Sequence, residues 1–222
     1  MLWEIPLAQV DREICIASTM LLIFAQFWFA ARFFQAFNKS DRENPVFGGV
    51  GVLYLLLGLG RIFYMLSDFY LGGTNTPEGY VAGKLGGVLQ GVGIGIFILL
   101  HERTQFNGKD KYLLFIGYNV FIVLYAVIPD KTTATWIISA AQFFNIFIFF
   151  GFIDVIWKSK GDIRVRSILI LIGFAALVIG TLLTSAFLIA QMESYGLSFY
   201  SIHTIANVFQ LVGTCVIFKG YI

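Results

Sequence analysis

The sequence predicts an all-α membrane protein: a seven-transmembrane helix bundle with its N-terminus outside and its C-terminus in the cytoplasm. Three observations predict it. Of 222 residues, 58% are hydrophobic and 13% charged, with a mean hydropathy of +0.82, whereas a soluble domain is about 25% charged. Seven apolar runs approach the roughly 20 residues needed to cross about 30 Å of hydrocarbon. Basic residues fall in alternate connections, as the positive-inside rule requires.

The runs are 14–37, 46–70, 80–101, 112–128, 133–157, 167–190 and 197–218, together one transmembrane domain over residues 1–222. The fourth is the shortest, at the lower limit of about 17 residues. Met1–Glu13 lacks a basic start and carries Glu4, Asp11 and Glu13, so it does not read as a secretory signal. The first run is expected to stay as a signal anchor.

The connection 38–44 holds Lys39 and Arg42, and 101–112 holds Arg103, Lys109 and Lys111. The connection 157–166 holds Lys158, Lys160, Arg164 and Arg166; with Arg32 and Lys219 these make eleven of the fifteen basic residues. The alternate connections 72–80, 129–135 and 191–198 hold only Lys131. The first group therefore faces the cytoplasm of a cell membrane. Trp3, Tyr70, Tyr80, Trp136, Tyr195 and Tyr200 fall near the outer interface, and Tyr112, Trp157 and Tyr221 near the inner one, as amphipathic rings do.

Pro6, Pro45, Pro77 and Pro129 all lie outside or at the edges of the runs, so no proline kink is expected. The sequence shows no convincing internal repeat and does not divide into two inverted halves, though it leaves room for three helices, one helix and three helices. Cys15 and Cys215 fall near opposite faces, too far apart for a disulfide.

Gly83, Gly87, Gly91 and Gly95 form a ridge at spacing four, a pattern that lets a second helix approach closely. Packing inside the bundle explains it, and contact with other transmembrane helices is the alternative. Gly48, Gly49, Gly51, Gly58 and Gly60 suggest that the second and third spans meet.

Arg61 lies inside the second run. An arginine at such depth is costly unless it faces protein or water, so it reads as a candidate site. At 1.5 Å per residue, Arg61, Gln90, Gln142, Asn145, His203 and Asn207 all fall roughly 9–20 Å below the outer boundary. His203, Asn207, Gln210 and Thr214 make one stripe of a helix. Hydrogen bonding between helices explains this layer, and an outward-facing polar pocket is the sharper reading. The guanidinium favours an anionic or carbonyl-rich ligand. Asp68, two turns on, is its expected partner, and Lys84 adds positive potential at the mouth. Asp154 with Lys158, and Glu102 with Arg103, read as interfacial ion pairs.

No catalytic constellation emerges. HERTQ lacks the second histidine of a zinc-protease motif, the two histidines lie at opposite depths and so do not suit a single bis-histidine haem, and no metal spacing occurs. No cofactor, metal or nucleic acid is expected, and membrane lipids are the expected surroundings.

LGLGRIFYMLSDFY (57–70) and HERTQF (101–106) resemble segments of small uncharacterised polytopic membrane proteins of archaea, over about fifty residues. The resemblance implies an integral membrane protein and brings no catalytic residues. The expected function is a receptor- or sensor-like ligand-binding module, with a small-anion or metabolite transporter and an accessory subunit of a larger complex as alternatives. The near-continuous Phe143, Phe144, Phe147, Phe149, Phe150 and Phe152 support the last.

Overall fold

The computed structural model describes residues 7–105 and 112–221. Trp3, Glu4, Pro6, Phe106, Lys109 and Lys111 lie outside the described residues. The described chain is helical, without strands: α1 (Leu7–Lys39), α2 (Pro45–Tyr70), α3 (Pro77–Gln105), α4 (Leu113–Val127), α5 (Lys131–Ala141), α6 (Phe144–Lys158), α7 (Gly161–Leu183), α8 (Ala186–Ser194) and α9 (Phe199–Tyr221). Six stretches are long and apolar enough to cross a membrane, α5 and α6 counting as one. This is a multi-pass membrane protein in contact with lipid. The 15-residue α4 is apolar but shorter.

Local chemistry sets the helix starts. Asn44 accepts from the backbone N–H of Val46 at 3.1 Å, and Pro45 follows at the first helical position, where its missing N–H costs nothing. Asp130 accepts from the N–H of Thr133 at 2.7 Å. Ser198 accepts from the N–H of Ser201 at 3.1 Å, and both serine hydroxyls donate to Asp11, at 2.9 and 3.1 Å. A carboxylate there complements the positive end of α9.

Two runs read as continuous are interrupted without proline. Between α5 and α6, Gln142 and Phe143 bond back to the Ser139 and Ala140 carbonyls, and Asn145 and Ile146 bond back to Gln142 and Phe143. These i→i−3 bonds tighten the helix locally. Between α7 and α8, Ser185 is extended (φ −71°, ψ 142°). Threonine and serine side chains compete for backbone partners there.

The chain folds as two compact units, Met1–Ala25 with Val155–Ile222, and Gln26–Asp154. In the second, α2 and α3 pack antiparallel through glycine. A methyl group on Gly60 would stand 2.6 Å from Cγ of Gln90 and 2.7 Å from the Gly86 carbonyl oxygen. One on Gly93 would meet the Leu53 carbonyl oxygen at 3.4 Å. The opposite face of α2 takes Phe37, Phe34 and Phe27 of α1 at Gly48, Gly51 and Gly58.

In the first unit, α7 and α9 meet in the same way. A methyl on Gly180 would stand 2.6 Å from Cγ of Gln210 and 2.8 Å from the Ala206 carbonyl oxygen, and one on Gly213 would stand 2.6 Å from the Gly173 carbonyl oxygen. Gly60, Gly86, Gln90, Leu53 and Gly93 thus correspond to Gly180, Ala206, Gln210, Gly173 and Gly213, each 120 residues later. The sequence agrees locally: VLQGVG (88–93) against VFQLVG (208–213). The two pairs share a packing register, with Gly60, Gln90 and Gly93 matched by identical residues at Gly180, Gln210 and Gly213.

Cys15 is buried and Cys215 exposed, and no disulfide joins them. Phe143, Phe147 and Phe150 are exposed on the outside of α6 and its start, while Phe152 is buried.

Replacing Gly60 or Gly180 by Leu should destabilise the protein by about 1–3 kcal/mol or more through overpacking, read as thermal unfolding in detergent. Gly48→Ala, whose methyl would meet the Phe37 ring at 3.4 Å, should cost far less. Hydrogen bonds from the hydroxyl and the backbone N–H of Thr133 hold the Asp130 carboxyl below the usual range. Because the folded value is the lower one, this cap contributes above the ordinary aspartate value of about 3.9 and is lost as pH falls through the folded value. Amide exchange in the first turn of α5 should accelerate below that point, and Asp130→Asn should remove the dependence.

Candidate ligand site among α2, α3 and α4

The site belongs to the Gln26–Asp154 unit. Arg61 is 9% exposed and follows the glycine against which Gln90 packs, so Arg61 and Gln90 share one level. Tyr64 lies one turn further along α2 and Asp68 two turns. The guanidinium and the Asp68 carboxylate both lie within electrostatic reach of the Tyr64 hydroxyl. Asp68 lies on the same face of α2 as Arg61.

Gly87 on α3 makes room for two phenols. A methyl there would stand 2.7 Å from the Tyr125 hydroxyl oxygen and 3.0 Å from that of Tyr64, so the two hydroxyls converge on one spot. Tyr118, one stripe along α4 from Tyr125, is fully buried, and its hydroxyl has no hydrogen-bond partner among the described residues. An unpartnered buried hydroxyl costs about 1–3 kcal/mol and calls for a water or a ligand. The rest of the ridge is filled from within the chain: Ser67 at Gly83, Ile122 at Gly91 and Asn119 at Gly95.

Two charged side chains of α3 hold α4 in place. Glu102, 1% exposed, accepts from the backbone N–H groups of Leu114 at 2.8 Å and Phe115 at 3.0 Å. Tyr112, at the start of α4, is left-handed (φ 58°) and offers no side-chain cap. At the other end Lys84 donates to the Ile128 carbonyl at 2.5 Å, near the rings of Tyr80 and Tyr125. An anion at the N-terminus and a cation at the C-terminus both oppose the helix dipole. Glu102 is therefore a buried cap and not an interfacial ion-pair partner, and Lys84 is engaged with α4 instead of open to the mouth.

The other residues of the predicted layer sort into separate groups. Gln142 and Asn145 meet at the α5–α6 interruption, where Asn145 Nδ2 donates to Gln142 Oε1 at 2.6 Å. His203 and Asn207 belong to the other unit. The His203 ring lies 4.0 Å from that of Phe199, with Nδ1 3.1 Å from the Phe199 carbonyl. Asn207 donates to Ser18 at 3.0 Å and Thr19 at 2.9 Å, joining α9 to α1. Asn207, Gln210 and Thr214 are buried, so their stripe faces inward.

Tyr64, Tyr118 and Tyr125 escaped the sequence analysis, although Arg61, Tyr64 and Asp68 at i, i+3 and i+7 define one face. A shallow groove of about 450 Å³ lies where the end of α2 meets the start of α3, between Phe63, Leu66, Val81 and Leu85, with Glu78 as its only charge. It has the apolar character of a lipid-facing surface. No family model, curated protein or solved structure matches the chain.

Chemically, the cluster offers a guanidinium and phenol hydroxyls in a buried setting, donors suited to an oxygen-rich anion. Its geometry depends on α4. Glu102→Ala should cost about 1–3 kcal/mol by leaving two buried N–H groups unpaired, and Glu102→Gln less. Hydrogen exchange at Leu114 and Phe115 measures this. Unchanged protection in Glu102→Ala would show that the carboxylate does not hold the helix.

Proposed function

We propose that this protein is a ligand-binding membrane module, receptor- or sensor-like, that takes a small carboxylate or phosphate at Arg61. One observation carries the reading: buried Arg61 stands one turn before Tyr64 on α2, and the Tyr64 and Tyr125 hydroxyls converge at Gly87 of α3. Buried guanidinium groups favour bidentate oxygen ligands, and phenol hydroxyls add donors without added charge. In this reading the chain crosses the cell membrane seven times, α4 included, with the N-terminus outside. The distribution of Lys and Arg supports that orientation. Gln90, at the level of Arg61, is proposed as a supporting polar group of the site.

Acetate, succinate and inorganic phosphate, each titrated against the full chain in detergent, test the proposal. A ligand that binds only the folded state raises the unfolding temperature as its concentration passes its dissociation constant. At least one probe should do so, and Arg61→Gln should remove the shift, with Arg61→Lys keeping part of it. An identical shift in Arg61→Gln, or none with any probe, would refute the site.

A further inference from the structure

We infer that the chain is a carrier built from two copies of a three-span module, α1–α3 and α5–α9, joined by α4 as a membrane-crossing linker. The inference rests on the anion site proposed above and adds movement of the ligand to its binding.

The duplication stands on three correspondences. α2 meets α3, and α7 meets α9, at matching levels: Gly60 with Gln90 as Gly180 with Gln210, and Leu53 with Gly93 as Gly173 with Gly213. The first helix of each copy carries a related stretch, with Thr19 and Ala25-Gln26-Phe27 against Thr135 and Ala141-Gln142-Phe143. Its offset differs from that of the helix pairs by four residues, about one helical turn. The connection after each first helix is basic, Lys39 and Arg42 in one copy and Lys158, Lys160, Arg164 and Arg166 in the other. By the positive-inside rule the two copies then face the same way.

That parity has a consequence. Equivalent helices share an orientation only if an even number of crossings separates them. From α1 to α5 the crossings are α1, α2, α3 and α4, so α4 must cross. Its 15 residues reach about 22 Å at 1.5 Å each, less than the roughly 30 Å of hydrocarbon. Glu102 and Lys84 satisfy its two ends with side chains of α3, so neither terminus depends on reaching water.

Repeated helical modules of one orientation are a recurrent architecture of solute carriers. Each glycine-sealed pair is expected to move as one body, because its helices approach too closely for an added methyl. The joints lie elsewhere: the second copy is interrupted at Gln142–Phe143 and Thr184–Ser185, where the first copy has unbroken α1 and α2. Helix ends of this kind absorb the dihedral changes of a moving body. Transport here is movement of an intact ligand down its gradient, with no bond made or broken.

The full chain in sealed vesicles, with Cys15→Ala and Cys215→Ser as background, tests both parts. Asn75→Cys and Thr132→Cys should react with an impermeant maleimide from the same side, and Lys160→Cys from the other. Labelling of positions 75 and 132 from opposite sides would overturn the duplicated arrangement. Labelled acetate, succinate and phosphate should then be offered to the same vesicles. Saturable uptake of the probe that binds is expected, with an initial rate at least about tenfold lower in Arg61→Gln, the equivalent of one charge-assisted hydrogen bond. Binding that persists without uptake of any probe would overturn the carrier and leave the ligand-binding module intact. Uptake that ignores Arg61→Gln would remove the Arg61 site and leave the carrier standing. Neither binding nor uptake would overturn both.

Discussion

The contact of α2 with α3 at Gly60 governs most of what surrounds it. Lipid gives helices no hydrophobic reason to associate, so association depends on close packing and on the few polar groups that find partners. At Gly60 the approach is limited by the carbonyl of Gly86 and the Cγ of Gln90, and a single added methyl would not fit. This fixes the rotation of α2, which sends Arg61 and Tyr64 toward the protein instead of lipid. It also turns the rest of the α3 ridge toward Ser67, Tyr125, Ile122 and Asn119. Small residues here specify where large polar ones can go.

The short α4 depends on the same helix by a different force. An exposed surface ion pair contributes about 0–1 kcal/mol, too little to place a helix. A buried carboxylate shared by two backbone N–H groups is another matter, because its loss strands two donors where water does not reach. Glu102 and Lys84 act at opposite ends of α4, each with the sign that its end of the dipole prefers. Tyr118 and Tyr125 are then carried into position by α4, with Lys84 also over the Tyr125 ring.

The helical membrane class was legible in the sequence, because hydropathy reports directly on the solvent, and so was the burial of Arg61. So was the relation of Arg61 to Asp68, since helical spacing alone places them on one face. Glu102 was not legible: a carboxylate beside an arginine at a span end looks the same whether it pairs with the arginine or caps a helix eleven residues on. The tyrosines were passed over because aromatics in a membrane protein are expected at its interfaces. The repeat was hidden for a related reason. Lipid accepts almost any apolar residue, so little identity remains beyond short stretches such as VLQGVG and VFQLVG. A constant spacing between glycine and glutamine pairs was the available signal, and it becomes meaningful once the contacts are known.

The two helix pairs keep one packing register yet diverge in the chemistry beside it. Gly83 and Gly87 in α3 stand where α9 has His203 and Asn207. In the first pair the missing side chains admit the hydroxyls of Ser67, Tyr64 and Tyr125. In the second, Asn207 fills its own space and spends its amide on Ser18 and Thr19 of α1. The same backbone position thus admits donors from neighbouring side chains in one case and supplies a donor to α1 in the other. Duplication of a packing motif followed by unequal filling is a direct route to a chain in which one helix pair holds a polar site and the other is closed by its own hydrogen bonds. It also explains why polar residues that share a depth in the sequence do not share a role.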